Sequence, residues 1–183
     1  MIWKRSLISL LGTTRKVAIL LVLALPLLIA SVPVPVVSAK NLKFMEIINI
    51  PPDPALNPSD YVGIRPQTRD PDWGGPLSGD INAVAYFWET DSNYVTGAGG
   101  KVEHFFEDFL IVFNDGGWVV GSNKGIFLMT NKPNLWKYSA EGRVTSTSTD
   151  KQNFLGSKFF EEGYVTFPPP DHILGVARGY LGS

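Results

Sequence analysis

The residues with the most evident chemical potential lie in the stretch AYFWETDSNYVTGAGGKVEHFFEDFLIVF (residues 85–113), where acids and one histidine stand among aromatic side chains. If residues 101–113 form a β-strand, His104 and Asp108 share one face and Glu107 lies on the other. At ~3.3 Å per residue, His104 and Asp108 are ~13 Å apart and cannot form a dyad by themselves. This arrangement favours a polar strand end at the rim of a sheet.

The other polar motifs match no established catalytic or metal-binding pattern. With two histidines and no cysteine in the chain, a zinc site would need carboxylates from other strands. The aspartates of DPDWGGPLSGD (70–80) fail the EF-hand pattern and favour turns, although calcium binding by an irregular loop remains an alternative. Glu161 and Glu162 are adjacent and therefore point to opposite faces of a strand. The sequence predicts no catalytic residue, no metal and no cofactor. It favours a non-enzymatic protein, with an enzyme as the alternative.

Aromatic residues are the strongest remaining functional signal. Aromatic side chains that line a barrel can leave a concave apolar pocket with a few polar groups. The alternative is that they fill the interior, because a barrel of about eight strands has little room to spare. We predict a site for a small apolar ligand. Its predicted lining residues are Tyr86, Trp88, His104, Phe106, Trp136 and Tyr138.

The N-terminal segment predicts export. Four basic residues precede an apolar run at 17–30, and the small residues Ser38 and Ala39 end the segment. This order is typical of a signal peptide spanning residues 1–39. The alternative is a retained anchor, with residues 17–37 as the only membrane contact. In both cases we predict that the folded part is extracytoplasmic, either secreted or anchored at the outer face of the membrane.

Charge and composition exclude one class of partner. The 183-residue chain has a formal net charge of −1, and loss of residues 1–39 would leave 12 of its 16 Lys and Arg residues and all 17 acids, a net charge of −5. Nucleic-acid binding needs a concentrated basic face, which this sequence lacks. A domain of this length can be stable without disulfides. The sequence does not predict an oligomeric state.

Turn signals divide the folded part into short β-rich runs. Residues 40–50 predict a first strand, and residues 51–76, with seven prolines, predict a loop. We divide the chain into a signal or anchor (1–39), a first strand with a proline-rich lead-in (40–76) and a β-barrel domain (77–183). The fold predicted is all-β, a single antiparallel up-and-down barrel of seven or eight strands, with a sandwich as the alternative. The predicted strands after the lead-in are 77–90, 101–113, 117–122, 124–130, 135–149, 153–167 and 172–181.

One predicted strand, WKYSAEGRVTSTST, separates its two faces clearly. Side chains alternate across a strand, so one set faces the core and the other faces water. The inward set narrows from tryptophan to glycine, which suits the interior of a small barrel. The predicted inward residues are Trp136, Tyr138, Ala140, Gly142 and Val144.

The later strands resemble the glycine-punctuated strands of the allene oxide cyclase and dirigent-type barrel superfamily. Gly121, Gly125 and Phe127 match a G-x-G-x-F strand only in part, because the glycine spacing differs, and 140–144 matches an A-x-G-x-V strand. The resemblance covers roughly residues 77–181. It implies an eight-stranded closed barrel with a possible apolar pocket, and no catalytic residue of the superfamily aligns.

Three functions follow as hypotheses. The first is an exported, non-enzymatic barrel that binds a small apolar ligand. The second is a cyclase- or isomerase-like enzyme that uses the same cavity, because shaping a substrate and excluding water can catalyse without a motif. An inward-pointing His104 or Glu107 with a displaced pKa would favour this enzyme. The third is a cell-surface interaction protein with a fully packed barrel, which would hold a partner through the loop at 51–76 or an edge strand.

Overall fold

The folded domain is a closed barrel. The computed structural model describes residues 40–57, 69–97, 100–169 and 171–182. Each strand pairs antiparallel with the next along the chain, and the first pairs with the last to close the sheet. This confirms the predicted all-β, up-and-down barrel and contradicts the sandwich alternative. The strands are β1 (Leu42–Asn49), β2 (Trp73–Gly79), β3 (Ala83–Gly97), β4 (Gly100–Phe113), β5 (Trp118–Met129), β6 (Leu135–Thr147), β7 (Lys158–Thr166) and β8 (Ile173–Gly182).

Two predicted segments lie wholly or partly outside this description. The signal or anchor at 1–39 falls outside it, as do residues 58–68 of the proline-rich loop. Within the described ranges, no helix combines the length and the apolar character needed to cross a membrane.

The barrel begins earlier in the chain than the predicted boundary at residue 77. β1 closes the barrel, and β2 begins at Trp73, inside the segment predicted to be a loop. Proline in a strand lacks the N–H that a ladder needs, and the structure accommodates this at Pro76. The pairing of β1 with β2 passes from Leu77 to Gly74, so Pro76 pairs only with β3.

The prediction omits one turn that the structure has and includes one that it lacks. The two errors have opposite effects on the number of strands, so the number of predicted strands still agrees with the structure. The predicted strand 77–90 is divided between β2 and β3, while the predicted break between the strands 117–122 and 124–130 lies within the continuous strand β5. Ser-Asn-Lys-Gly is a turn signal, but here Asn123 points into the barrel and its Nδ2 donates a hydrogen bond to Glu107 Oε1 at 2.7 Å. A tertiary contact therefore overrides the local turn preference.

The alternation predicted for β6 is confirmed, because Tyr138, Ala140 and Val144 are all buried. The glycines of β5 have a specific steric role. Gly125 and Gly121 pair directly with Phe105 and Phe109 of β4. A Cβ atom on Gly125 would lie 2.2 Å from Phe105 Cζ, so only glycine lets the ring lie across the strand.

The barrel interior contains two apolar clusters. The lower cluster includes Phe44, Phe109 and Phe159, and its end is closed by Phe113 stacked on Phe154 of the 3₁₀ helix Thr149–Phe154. The upper cluster includes Ile48, Phe105, Phe127, Tyr138 and Val165. On β1, β4 and β7 the boundary between the two clusters is occupied by a glutamate.

Candidate functional site

Three buried glutamates form a polar layer across the middle of the barrel. Glu46, Glu107 and Glu161 have only 1%, 4% and 2% of their surface exposed. Each lies on an inward face between a residue of the lower cluster and one of the upper cluster, as Glu107 does between Phe109 and Phe105. They come from β1, β4 and β7, so only barrel closure brings them together. We call these three residues the glutamate layer.

A hydrogen-bonded chain joins two members of the layer to Tyr138. The Tyr138 hydroxyl donates to Glu161 Oε1 at 2.6 Å. The carboxyl groups of Glu46 and Glu161 lie within hydrogen-bonding reach of each other. No N–H or hydroxyl donor among the described residues reaches either oxygen of Glu46. A proton carried by Glu46 and accepted by Glu161 therefore satisfies both groups.

Burial dominates the ionisation of this chain. It raises the pKa of Glu46 well above its ordinary value, and the negative charge of Glu161 raises it further. Burial also raises the pKa of Glu161, although the hydrogen bonds from Glu46 and Tyr138 oppose that shift. Loss of water and the neighbouring carboxylates raise the pKa of the Tyr138 hydroxyl strongly as well. The two carboxyl groups therefore titrate as a pair, and geometry favours Glu161 as the proton acceptor because the Tyr138 hydroxyl already donates to it.

Glu107 is held differently, on the opposite side of the interior. Its Oε1 accepts the hydrogen bond from Asn123, while Oε2 is buried and receives no hydrogen bond of normal geometry within the described ranges. Burial raises the pKa of Glu107 well above its ordinary value, and the charge of Glu161 adds to that shift. Donors on Asn123 and Trp73 lower it in part. Burial therefore favours the protonated form of Glu107.

A cavity of about 420 Å³ opens above the glutamate layer. Glu107 and Glu161 reach its surface, and the partly exposed Tyr94 and Phe167 lie at its mouth. Its volume lies within the range of small-molecule sites. The upper half of the barrel is therefore hollow, while the lower half is packed. Its aromatic wall consists of Trp73, Phe87, Phe105, Phe127, Trp136 and Tyr138.

Two of the six predicted lining residues, Trp136 and Tyr138, line this cavity. The other four are placed on the outside of the barrel, so the prediction that they line the pocket is wrong. Tyr86 and Trp88 form an outer cluster with Leu110, against which Leu56 packs. His104 is exposed, and Phe106 has 49% of its surface exposed.

The errors have a physical cause. On β3 both faces are apolar, because the outer face is covered by the chain around Leu56, and the Trp88 indole donates to the Arg69 carbonyl at 2.9 Å. Alternation then separates the two faces without saying which one faces inward. On β4 the polar residues were assigned to a rim. The structure instead buries Glu107 in mid-barrel, opposite Asn123 of the neighbouring strand.

Sequence reasoning missed Glu46 and Glu161 as site residues, although a signal was present. Phe44 and Ile48 are apolar and lie at period-two spacing, and the same period places Glu46 on their face of the strand. Glu161 likewise shares a face with Phe159 and Val165. A lone carboxylate inside an apolar alternation marks a buried acid, because a solvated acid would lie on the opposite face. The prediction that Glu161 and Glu162 point to opposite faces is confirmed, since Glu162 lies outside and forms an ion pair with Arg178.

No three His, Cys, Asp or Glu side chains converge as metal ligands in the part of the chain that the structure describes. Comparison with known proteins gives no match to a family model, to a curated protein or to a solved structure. The resemblance to the allene oxide cyclase and dirigent-type superfamily therefore stays a prediction, although the eight-stranded closed barrel that it implies is present.

Proposed function

We propose that the protein binds a small, largely apolar ligand inside the upper half of the barrel. The observation that carries this proposal is the cavity of about 420 Å³, with aromatic walls and a carboxyl floor. Buried concave sites with apolar walls and a few polar groups are the usual form of small-molecule sites. Export, predicted from residues 1–39, would place this binding outside the cytoplasm.

A neutral fluorescent probe tests the proposal. N-phenylnaphthylamine titrated into the purified protein is expected to give saturable fluorescence enhancement. Trp136→Ala removes part of the aromatic wall and is expected to weaken binding about tenfold, a loss of ~1.4 kcal/mol. Phe106→Ala is the matched control, because Phe106 lies on the outer face and its loss should leave the affinity unchanged. No saturable signal from the wild-type protein would contradict the proposal.

A second candidate function is proton-transfer catalysis in the same cavity, as in an isomerase or cyclase. One observation favours it, namely that Glu107 points inward and that burial raises its pKa, whereas His104 lies outside. In such a reaction the protonated Glu107 would donate a proton to the carbonyl oxygen of a bound ketone, while the carboxylate of Glu161, which also reaches the cavity, would accept the α-proton. Incubation with the enolisable ketone tetralone in D₂O tests this candidate. Deuterium incorporation by the wild-type protein that Glu107→Gln abolishes would support catalysis. Exchange at the same rate as in buffer would contradict catalysis and leave ligand binding as the proposed function.

The third hypothesis, a cell-surface interaction protein, assumed a fully packed barrel. The hollow upper half does not fit that premise, because only the lower cluster fills its section of the interior. Interaction with a partner stays a prediction, and we give it less weight than ligand binding.

A further inference from the structure

We propose that the ligand of the barrel cavity is an organic ammonium ion with an apolar body, whose nitrogen binds at the carboxyl groups of Glu107 and Glu161. This inference rests on the proposed binding function and adds the chemical class of the ligand. Its basis is a surplus of hydrogen-bond acceptors at the cavity floor, together with the aromatic wall above it.

The unsatisfied atoms of the glutamate layer and its neighbour Asn123 are all acceptors. Glu107 Oε2 is nine-tenths buried on a side chain that reaches the cavity, and it receives no hydrogen bond of normal geometry within the described ranges. Oδ1 of Asn123 is likewise buried and receives no hydrogen bond from a described donor. An ammonium group supplies three N–H donors and no acceptor, whereas a hydroxyl supplies one donor and a carboxylate none. The floor therefore matches an ammonium group best.

The electrostatics of the cavity favour the same class. Four glutamates line it, and none of its described lining residues is a lysine, arginine or histidine. Aromatic faces such as those of Trp136 and Phe105 attract a cation through the ring quadrupole. An anionic ligand would meet only like charge here, and its entry would be opposed. The apolar walls favour a ligand whose remaining surface is hydrocarbon.

Within the described ranges, the ionisable side chains that line the cavity can carry only negative charge. β2, β5 and β8 contribute uncharged side chains at this level, such as Trp73, Asn123 and Leu174. The described titratable groups facing the interior or the mouth are Glu46, Glu89, Tyr94, Glu103, Glu107, Tyr138 and Glu161. The guanidinium of Arg69 lies near Glu89 and opposes the rise in its pKa. Among the described lining residues, no cationic side chain competes with a ligand cation for the carboxylates of Glu107 and Glu161. A bound ammonium group stabilises the ionised form of these carboxyl groups, so its binding releases protons from the glutamate layer.

A pair of ligands of the same shape tests this inference. Naphthylmethylamine and naphthylmethanol share an apolar body and differ in the charged group. Isothermal titration calorimetry with the purified protein near pH 7 is expected to show the amine binding at least about tenfold more tightly than the alcohol. Glu107→Gln should remove most of that preference, because it should weaken binding of the amine far more than binding of the alcohol. Glu141→Gln, on the exposed outer face of β6, is the matched control and should change neither affinity.

A second measurement uses only the wild-type protein. It therefore tests the inference even if Glu107→Gln does not fold. The affinity of the wild-type protein for the amine is expected to rise between about pH 5 and pH 8, as the carboxyl groups lose protons, while its affinity for the alcohol stays level. If amine and alcohol bind equally at every pH, the inference is overturned and the binding function stands. If neither ligand nor the neutral probe binds saturably, both proposals fail.

Discussion

Replacing Phe159 by alanine is expected to lower the free energy of unfolding by about 3–5 kcal/mol, the largest effect of any substitution considered. Phe159 is 1% exposed and lies at the centre of the lower cluster. Its ring stacks on Phe109 at 4.7 Å and on Phe44 at 5.8 Å between centroids, and it contacts Phe87 at 6.1 Å. Truncation would leave a cavity that the closed sheet cannot collapse to fill.

Chemical denaturation followed by tryptophan fluorescence measures this loss. Phe160→Ala is the matched control, because the neighbouring side chain is only partly buried, lies on the outer face and stacks on Tyr180 at 5.5 Å. We expect that control to lose about 1 kcal/mol. If Phe159→Ala does not fold, Phe159→Leu retains part of the apolar volume and should still lose more than the control. Equal losses at the two positions would contradict the assignment of Phe159 to the packed core.

The glutamate layer is expected to make the folded protein less stable as pH rises. A carboxyl whose folded pKa is raised binds its proton more tightly in the folded than in the unfolded chain. For Glu46 and Glu107, the stabilisation is therefore fully present below the ordinary value of 4.5 and is lost as pH rises through the folded pKa. The expected slope is about 1.4 kcal/mol per pH unit for each carboxyl that only the folded chain keeps protonated.

Glu107→Gln tests this slope directly. Glutamine keeps the shape of the protonated acid and an oxygen to accept the Asn123 hydrogen bond, but it cannot ionise. Urea denaturation between about pH 5 and pH 8 should therefore show a shallower decline for the variant, which should exceed the wild type by at least ~1 kcal/mol at the alkaline end. Glu141→Gln, on the outer face, should follow the wild type. Identical slopes for Glu107→Gln and the wild type would contradict a protonated Glu107 in the folded state.

The two stability predictions and the ligand prediction depend on one structural feature, the division of the barrel into a packed lower half and a hollow upper half. The packed lower cluster stabilises the barrel sufficiently for the upper half to remain hollow. Buried acids without donors cost stability, and proteins keep such groups mainly where they serve a function. The glutamate layer lies at the boundary between the two halves, where its carboxyl groups reach the cavity while the stacked rings beneath them exclude water.

Several features were predictable because they depend only on neighbours along the chain. Period-two alternation gave the all-β class and the inward set of β6, from Trp136 to Val144. The turn at Asp115–Gly116, between the predicted strands 101–113 and 117–122, depends on local backbone preference and is present between β4 and β5. Where both faces of a strand are apolar, as on β3, the same rule could not choose the inward face, and the pocket residues Tyr86 and Trp88 were misplaced.

The amino-acid sequence by itself determined the all-β class, the up-and-down arrangement of its strands and the presence of carboxylates within apolar alternations. Only the tertiary structure decided that β1 closes on β8, which brings Glu46 to Glu161 and places both across the interior from Glu107. It also decided that Leu56 covers the outside of β3, leaving Phe87 rather than Trp88 to face the cavity. The physical reason is that alternation is a property of one strand, whereas the contents of a barrel interior depend on which strands closure places opposite one another.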